Sequence, residues 1–220
     1  MFDKHREIRA WAQATANTYR QIVRSSGQQI SRHREGIRGR LGELRGVALL
    51  SGDPLILNAN RALALPERSY MQDIPISLDA PQTIHQIVEA NSAQIEKNLV
   101  ARAALKQIDA ELEGVLVTVR DLAGQVQEIL AEFREVLQGA QALDHGNRWP
   151  PTFIKIEAAN KSFAQLKHRR DEVVRASTRA DIKSNYTALR RECLAALQNL
   201  RADVRTAEVR DQTVRDSAER

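Results

Sequence analysis

The sequence predicts an all-α protein, and three observations carry that reading. Apolar residues fall at Leu105, Ile108, Leu112, Val115, Val119, Leu122, Val126, Ile129, Phe133 and Val136. Their unbroken alternation of steps of three and four puts them on one face only if the chain is helical. Ala, Leu, Glu, Lys and Arg supply 101 of the 220 residues, a composition typical of long helices. Ten glycines and six prolines leave few places where a helix must stop. The expected architecture is an elongated antiparallel hairpin or bundle of long coiled-coil-like helices, preceded by an N-terminal helical segment.

Residues 1–50 form that basic N-terminal segment. Ile8, Trp11, Thr15, Tyr19, Ile22, Ile30, Ile37, Leu41, Leu44 and Ala48 lie near one helical stripe. Ser25-Ser26-Gly27 is the expected kink or break, because an interior Gly costs about 1 kcal/mol against Ala. Gly39, Gly42 and Gly46 cluster on the opposite side, which marks either a close backbone approach or a loosely held stretch.

Residues 51–78 are read as an irregular linker with a short helix. Asp53-Pro54 starts that helix, with Asp at the N-cap and Pro at the first helical position. It is expected to run from Pro54 to about Leu65, with Pro66 just beyond. Pro75, inside DIPISL, argues against a continued helix and makes this region the candidate hinge.

Residues 79–220 are the long antiparallel hairpin, with its turn at 143–152. Asp79 and Gln82 make a capping box at the start. Asn91, Gln94 and Asn98 then occupy seam positions while Ile95 and Leu99 sit one residue off, a stutter of the seam. Polar residues at such positions fix register at some cost in stability. Gly146, Asn147 and Trp149-Pro150-Pro151 form the reversal. The return arm is read as one helix from about Pro151 onward. Its seam is thin between Leu166 and Ile182, then regular through Ile182, Tyr186, Leu189, Cys193, Ala196 and Leu200.

Charge is distributed in blocks. Residues 1–50 carry a net +6, residues 51–154 a net −6 and residues 155–220 a net +5. Helices so charged neutralise one another when packed together.

The same sequence bounds the function. The N-terminus has no apolar signal-peptide core, and no apolar run approaches the ~20 residues of a membrane span. Cys193 is the single cysteine, so no internal disulfide forms. A cytoplasmic location is expected. None of the five histidines stands three residues after a Glu, and there is no phosphate loop or nucleophile elbow. His85 and Glu89 share a helix face but lack a third ligand. No metal, cofactor or enzymatic activity is expected.

The leading expectation is a non-enzymatic structural or adaptor subunit of a larger assembly, acting through helix faces and the hairpin tip. Its candidate partner or oligomer interface is Leu105, Leu112, Val115, Val119, Leu122, Val126 and the tip residue Trp149. Trp11 is a further candidate contact, since Trp is enriched at binding hot spots. The partners are other proteins or further copies of the chain. Two alternatives remain. Arg32, Arg34, Arg38, Arg40 and Arg45 form the densest basic run, with Arg34, Arg38 and Arg45 on one face that suits nucleic-acid phosphates. The same segment could instead lie on an anionic membrane surface, with residues 51–78 as the hinge.

Overall fold

The computed structural model describes residues 2–71, 84–145 and 155–219. The protein is all-α. Among the described residues the chain forms α1 (Phe2–Val47), α2 (Pro54–Ala64), a 3₁₀ turn (Glu67–Tyr70), α3 (Ile84–His145), α4 (Ile156–Val173) and α5 (Arg179–Ala218). The capping box at Asp79, the DIPISL stretch and the reversal around Trp149 lie outside the described residues.

The chain gathers into two compact units. One comprises Met1–Glu43 with Pro54–Gly114, the other Leu44–Asp53 with Val115–Arg220. Helix α3 contributes to both.

In the first unit α1 and α3 run parallel. Ser26 meets Asn98, Gln29 meets Arg102 and Arg40 meets Glu113, a nearly constant offset along the two helices. The connection returns antiparallel to α1. Arg34 reaches Ala62 and Leu63, Ser31 bonds Glu67, and Gly27 faces Tyr70. Ile30, Ile37, Leu41, Leu105 and Leu112 are buried here, with Leu55, Ala59 and Tyr70 added by the connection.

Helix α1 passes through Ser25-Ser26-Gly27 without the expected break. The Ser26 hydroxyl donates back to the Val23 carbonyl at 2.9 Å, a local bond made within the helix. Gly27 is instead a packing site. A Cβ there would stand 2.9 Å from Met71 Cγ and 3.2 Å from the Tyr70 carbonyl oxygen. The later glycines make no such approach: a Cβ at Gly39, Gly42 or Gly46 meets nothing within 4 Å.

The polar seam positions of α3 are core positions, as the spacing predicts. Asn91 and Asn98 are buried, whereas Leu99 is exposed. Asn98 Nδ2 donates to Ser26 Oγ at 2.8 Å and to the Tyr70 carbonyl at 2.9 Å, and Oδ1 accepts from Gln94 Nε2 at 2.9 Å. A satisfied buried amide of this kind pins the register of the helices that supply its partners.

In the second unit α4 runs antiparallel to α3. Gln141 bonds Asn160 near one end and Arg170 bonds Gln127 near the other. The return arm is two helices, not one. The chain leaves helix after Val173 and restarts at Arg179, so α5 turns back along α4 and runs parallel to α3, with Arg201 paired to Glu132. The restart is a reciprocal capping box. Thr178 Oγ1 accepts from the Asp181 N–H at 3.2 Å, and Asp181 Oδ2 accepts from the Thr178 N–H at 3.0 Å. Residues 49–53 dock on this turn. Leu49 N–H donates to the Val174 carbonyl, Gly52 N–H to the Ser177 carbonyl, and buried Asp53 accepts from both the N–H and Nε of Arg179 at 3.0 Å. Thr178→Ala removes one side of the box and is expected to destabilise this unit by about 1 kcal/mol, read as a shift in its urea midpoint.

One core cluster of this unit is Phe133, Leu137, Ala140, Leu197, Leu200 and Ala207, lined by Ile129, Val136, Phe163 and Val204. Phe133 and Phe163 stack with ring centroids 5.4 Å apart. The α3 seam is broader than the sequence alone indicates. Leu105, Leu112, Val119, Val126 and Phe133 are fully buried, whereas Ile108, Val115, Leu122, Ile129 and Val136 are half-buried. Leu116, Leu130 and Leu137 are buried in their place. A helix packed against two neighbours, not one, buries a wider stripe.

Candidate interaction surface

The residues proposed to meet phosphate are split by the fold. Arg32, Arg38 and Arg45 are exposed on α1. Arg40 faces α3, where Nε donates to Glu113 and NH1 to Asp109, both at 2.5 Å. The hydrogen bond to Glu113 raises its pKa above the ordinary guanidinium value, so it stays a cation and stays paired. Gly36 leaves room for that pair: a Cβ there would lie 2.8 Å from Asp109 Oδ1. His33 Nδ1 lies 3.3 Å from the same carboxylate.

Arg34 must be removed from the set. Its residue is only 2 % exposed, which puts the guanidinium out of reach of any external phosphate. NH1 donates to the Ala62 carbonyl at 2.9 Å, and NH2 to the Leu63 and Leu65 carbonyls at 2.9 and 2.8 Å. These carbonyls close the C-terminal turn of α2, where the helix leaves acceptors unsatisfied and the dipole favours a cation. The guanidinium also lies over the Tyr70 ring, 6.0 Å from its centroid. Helical spacing puts Arg34 on a face with Arg38 and Arg45. It does not reveal that a second helix ends against that face.

The seam residues proposed as an oligomer interface are likewise consumed inside the chain. Leu105, Leu112, Val119 and Val126 are buried, and Val115 and Leu122 are half-buried. The four buried side chains are covered within the chain, and the two half-buried ones keep part of their surface exposed. Trp149 lies outside the described residues.

The apolar side chains that do face outward are elsewhere. On α1, Ile8 is 54 %, Trp11 57 % and Ile22 44 % exposed. With half-buried Thr15 and Tyr19 they fall within about 80° of the helix circumference at 3.6 residues per turn. The 3, 4, 4, 3 spacing was visible in the sequence, but there it merged with the stripe leading to Ile30 and Ile37. On α5, Val209 and Val214 are exposed beyond Ala207, the last buried residue of that helix.

Chemically reactive groups are few. Cys193 is fully buried, and desolvation, helped by the neighbouring Glu192 charge, pushes its thiol up to about 11. The thiolate is therefore scarce at neutral pH. Burial raises Tyr186 in the same way. His168 pairs with Glu172 one turn on, at the surface. Among the described residues no three His, Cys, Asp or Glu side chains converge on a metal-sized site. No described helix is long and apolar enough to cross a membrane. A half-open cavity of about 190 Å³ lies in the second unit, with Phe133, Ala159 and Leu200 as its apolar wall and Lys155, Ser162, Asn199 and Asp203 adding polar groups. No known protein family, curated protein or solved structure matches this chain.

Proposed function

We propose that this protein is a non-enzymatic structural subunit that assembles through outward helix faces, and that the N-terminal half of α1 is the principal one. The observation that carries this reading is the exposed stripe of Ile8, Trp11 and Ile22. Large apolar side chains scattered singly on a surface need no explanation, but three on one narrow helical stripe do. A stripe this narrow suits one partner helix, and a Trp within it is the residue type that most often anchors such contacts. The α3 seam, satisfied within the chain, plays no part in this assembly.

The test is the mass of the purified protein by light scattering across a wide concentration range. The wild type is expected to reach a discrete multiple of the chain mass. Trp11→Asp is expected to return it to the single-chain mass with an unchanged far-UV circular dichroism spectrum, because the side chain is already in solvent. A wild type that stays monomeric at every concentration would overturn assembly between copies.

A further inference from the structure

Residues 54–71 are attached to the first unit in an unusual way. The only residues they bury are Leu55, Ala59 and Tyr70, while Leu57 and Leu65 face outward. Polar groups reaching across from α1 and α3 provide the other grips. Arg34 holds the Ala62, Leu63 and Leu65 carbonyls, Asn98 the Tyr70 carbonyl, Gln94 the Ser69 carbonyl and Ser31 the Glu67 carboxylate. The helices behind also share polar contacts, but they add fully buried Ile30, Ile37, Leu105 and Leu112.

These two kinds of attachment respond differently to water. A carbonyl released from a side-chain donor finds water at once, so each such bond contributes only modestly to the net balance. Apolar burial has no such substitute. The guanidinium makes the largest share of these bonds, to three carbonyls at once. It is a buried cation, among the described residues no carboxylate pairs with it, and its Nε has no hydrogen-bond partner. The three carbonyls and the C-terminal end of α2 stand in for its lost water, so a side chain without the guanidinium leaves them unpaired and holds the strap less well.

We propose that residues 54–71 are a strap that opens as one piece while the α1 and α3 walls of its unit stay folded, with Arg34 as the latch. Closed, the strap hides the Arg34 guanidinium. Open, it restores that cation to the helix face carrying Arg38 and Arg45. Segments of this kind occupy the low-stability end of a protein's local opening equilibria. The strap stands independently of the assembly reading, because it involves neither Ile8 nor Trp11.

Hydrogen exchange followed by mass spectrometry on the full chain under native conditions tests it. Amides of residues 54–70 are expected to exchange at least about tenfold faster than those of residues 30–44 and 98–112. Arg34→Gln, which keeps a stem but loses the three-carbonyl grip, is expected to raise strap exchange about tenfold more and to leave residues 115–142 unchanged. Gly27→Ala forces Met71 and the Tyr70 carbonyl aside and is expected to act in the same direction without altering any charge. If strap amides exchange in step with residues 30–44 in the wild type, the strap does not open alone and the idea is overturned. If it does open alone but Arg34→Gln leaves its exchange unchanged, Arg34 is no latch. Should Arg34→Gln unfold the whole unit, Gly27→Ala decides: faster exchange confined to the strap supports the proposal, and unchanged exchange sinks it.

Discussion

Phe133→Ala is expected to destabilise the second unit by about 4 kcal/mol, in the middle of the range for aromatic truncations in a core. The ring is buried, stacks on Phe163 and sits among Leu137, Leu197 and Leu200. Truncation removes the transferred apolar surface and the ring pair together, and the ring pair contributes about 1 kcal/mol beyond its area. It also enlarges the space beside an existing cavity that Phe133 already lines, and long helices braced at both ends collapse poorly into a void. Phe133→Leu keeps most of the volume and is expected to lose about 1–2 kcal/mol. Urea titrations of the two variants, followed by circular dichroism, measure both. A loss below about 1 kcal/mol for Phe133→Ala would mean that the ring is not in the core.

Leu112→Asp is expected to do more and to do it in the first unit. Leu112 is fully buried, so the substitution places a carboxylate in the core. An isolated buried charge is penalised by several kcal/mol, comparable with the whole stability of a small domain. The first unit is therefore expected to lose its cooperative unfolding transition near neutral pH. The sign of the pH dependence follows from burial. Desolvation raises the folded-state pKa of the new Asp above its unfolded value of about 3.9. The folded state then binds the proton more tightly, and stability recovers as pH falls through that raised value. Leu112→Ala provides the uncharged comparison, at about 3 kcal/mol and with no such recovery. If Leu112→Asp dissociates an oligomer while leaving each chain folded, the seam lies between chains and its placement inside the unit is wrong.

The parts of this fold that depend on local rules were legible in the sequence. The α3 seam repeats over several turns, so its helix and its buried column could be read directly. Asp53-Pro54 and Pro66 bracket α2 to within a residue of Pro54–Ala64. Asn91 and Asn98 announced a polar core by occupying seam positions. The break at residues 174–178 was missed although its signal is local. Thr178 and Asp181 have the spacing of a capping box just before Ile182, inside the stretch where the seam is thin, but no Gly or Pro marks the stop. Other features depend on what lies across a gap and cannot be read from one strip of sequence. Arg34 looks like Arg38 until the end of α2 is placed against it. Gly27 looks like a helix breaker until Tyr70 and Met71 are placed over it. Both are answers to a neighbour that sequence spacing does not identify.

The parallel pairings have a consequence for the order in which the chain can assemble. Pairing α1 with α3 brings together residues 72 or 73 apart, and pairing α3 with α5 residues 69 apart. Arg169 and Glu192, across the α4–α5 turn, are separated by only 23. Loop-closure entropy grows with the logarithm of loop length, so tripling the loop adds about 1 kcal/mol before any contact is made. Topology thus ranks the contacts: the α3–α4 and α4–α5 hairpins, with contacts 19 and 23 residues apart, are the less demanding to close, and the two long parallel partnerships must be completed against a steeper entropic gradient.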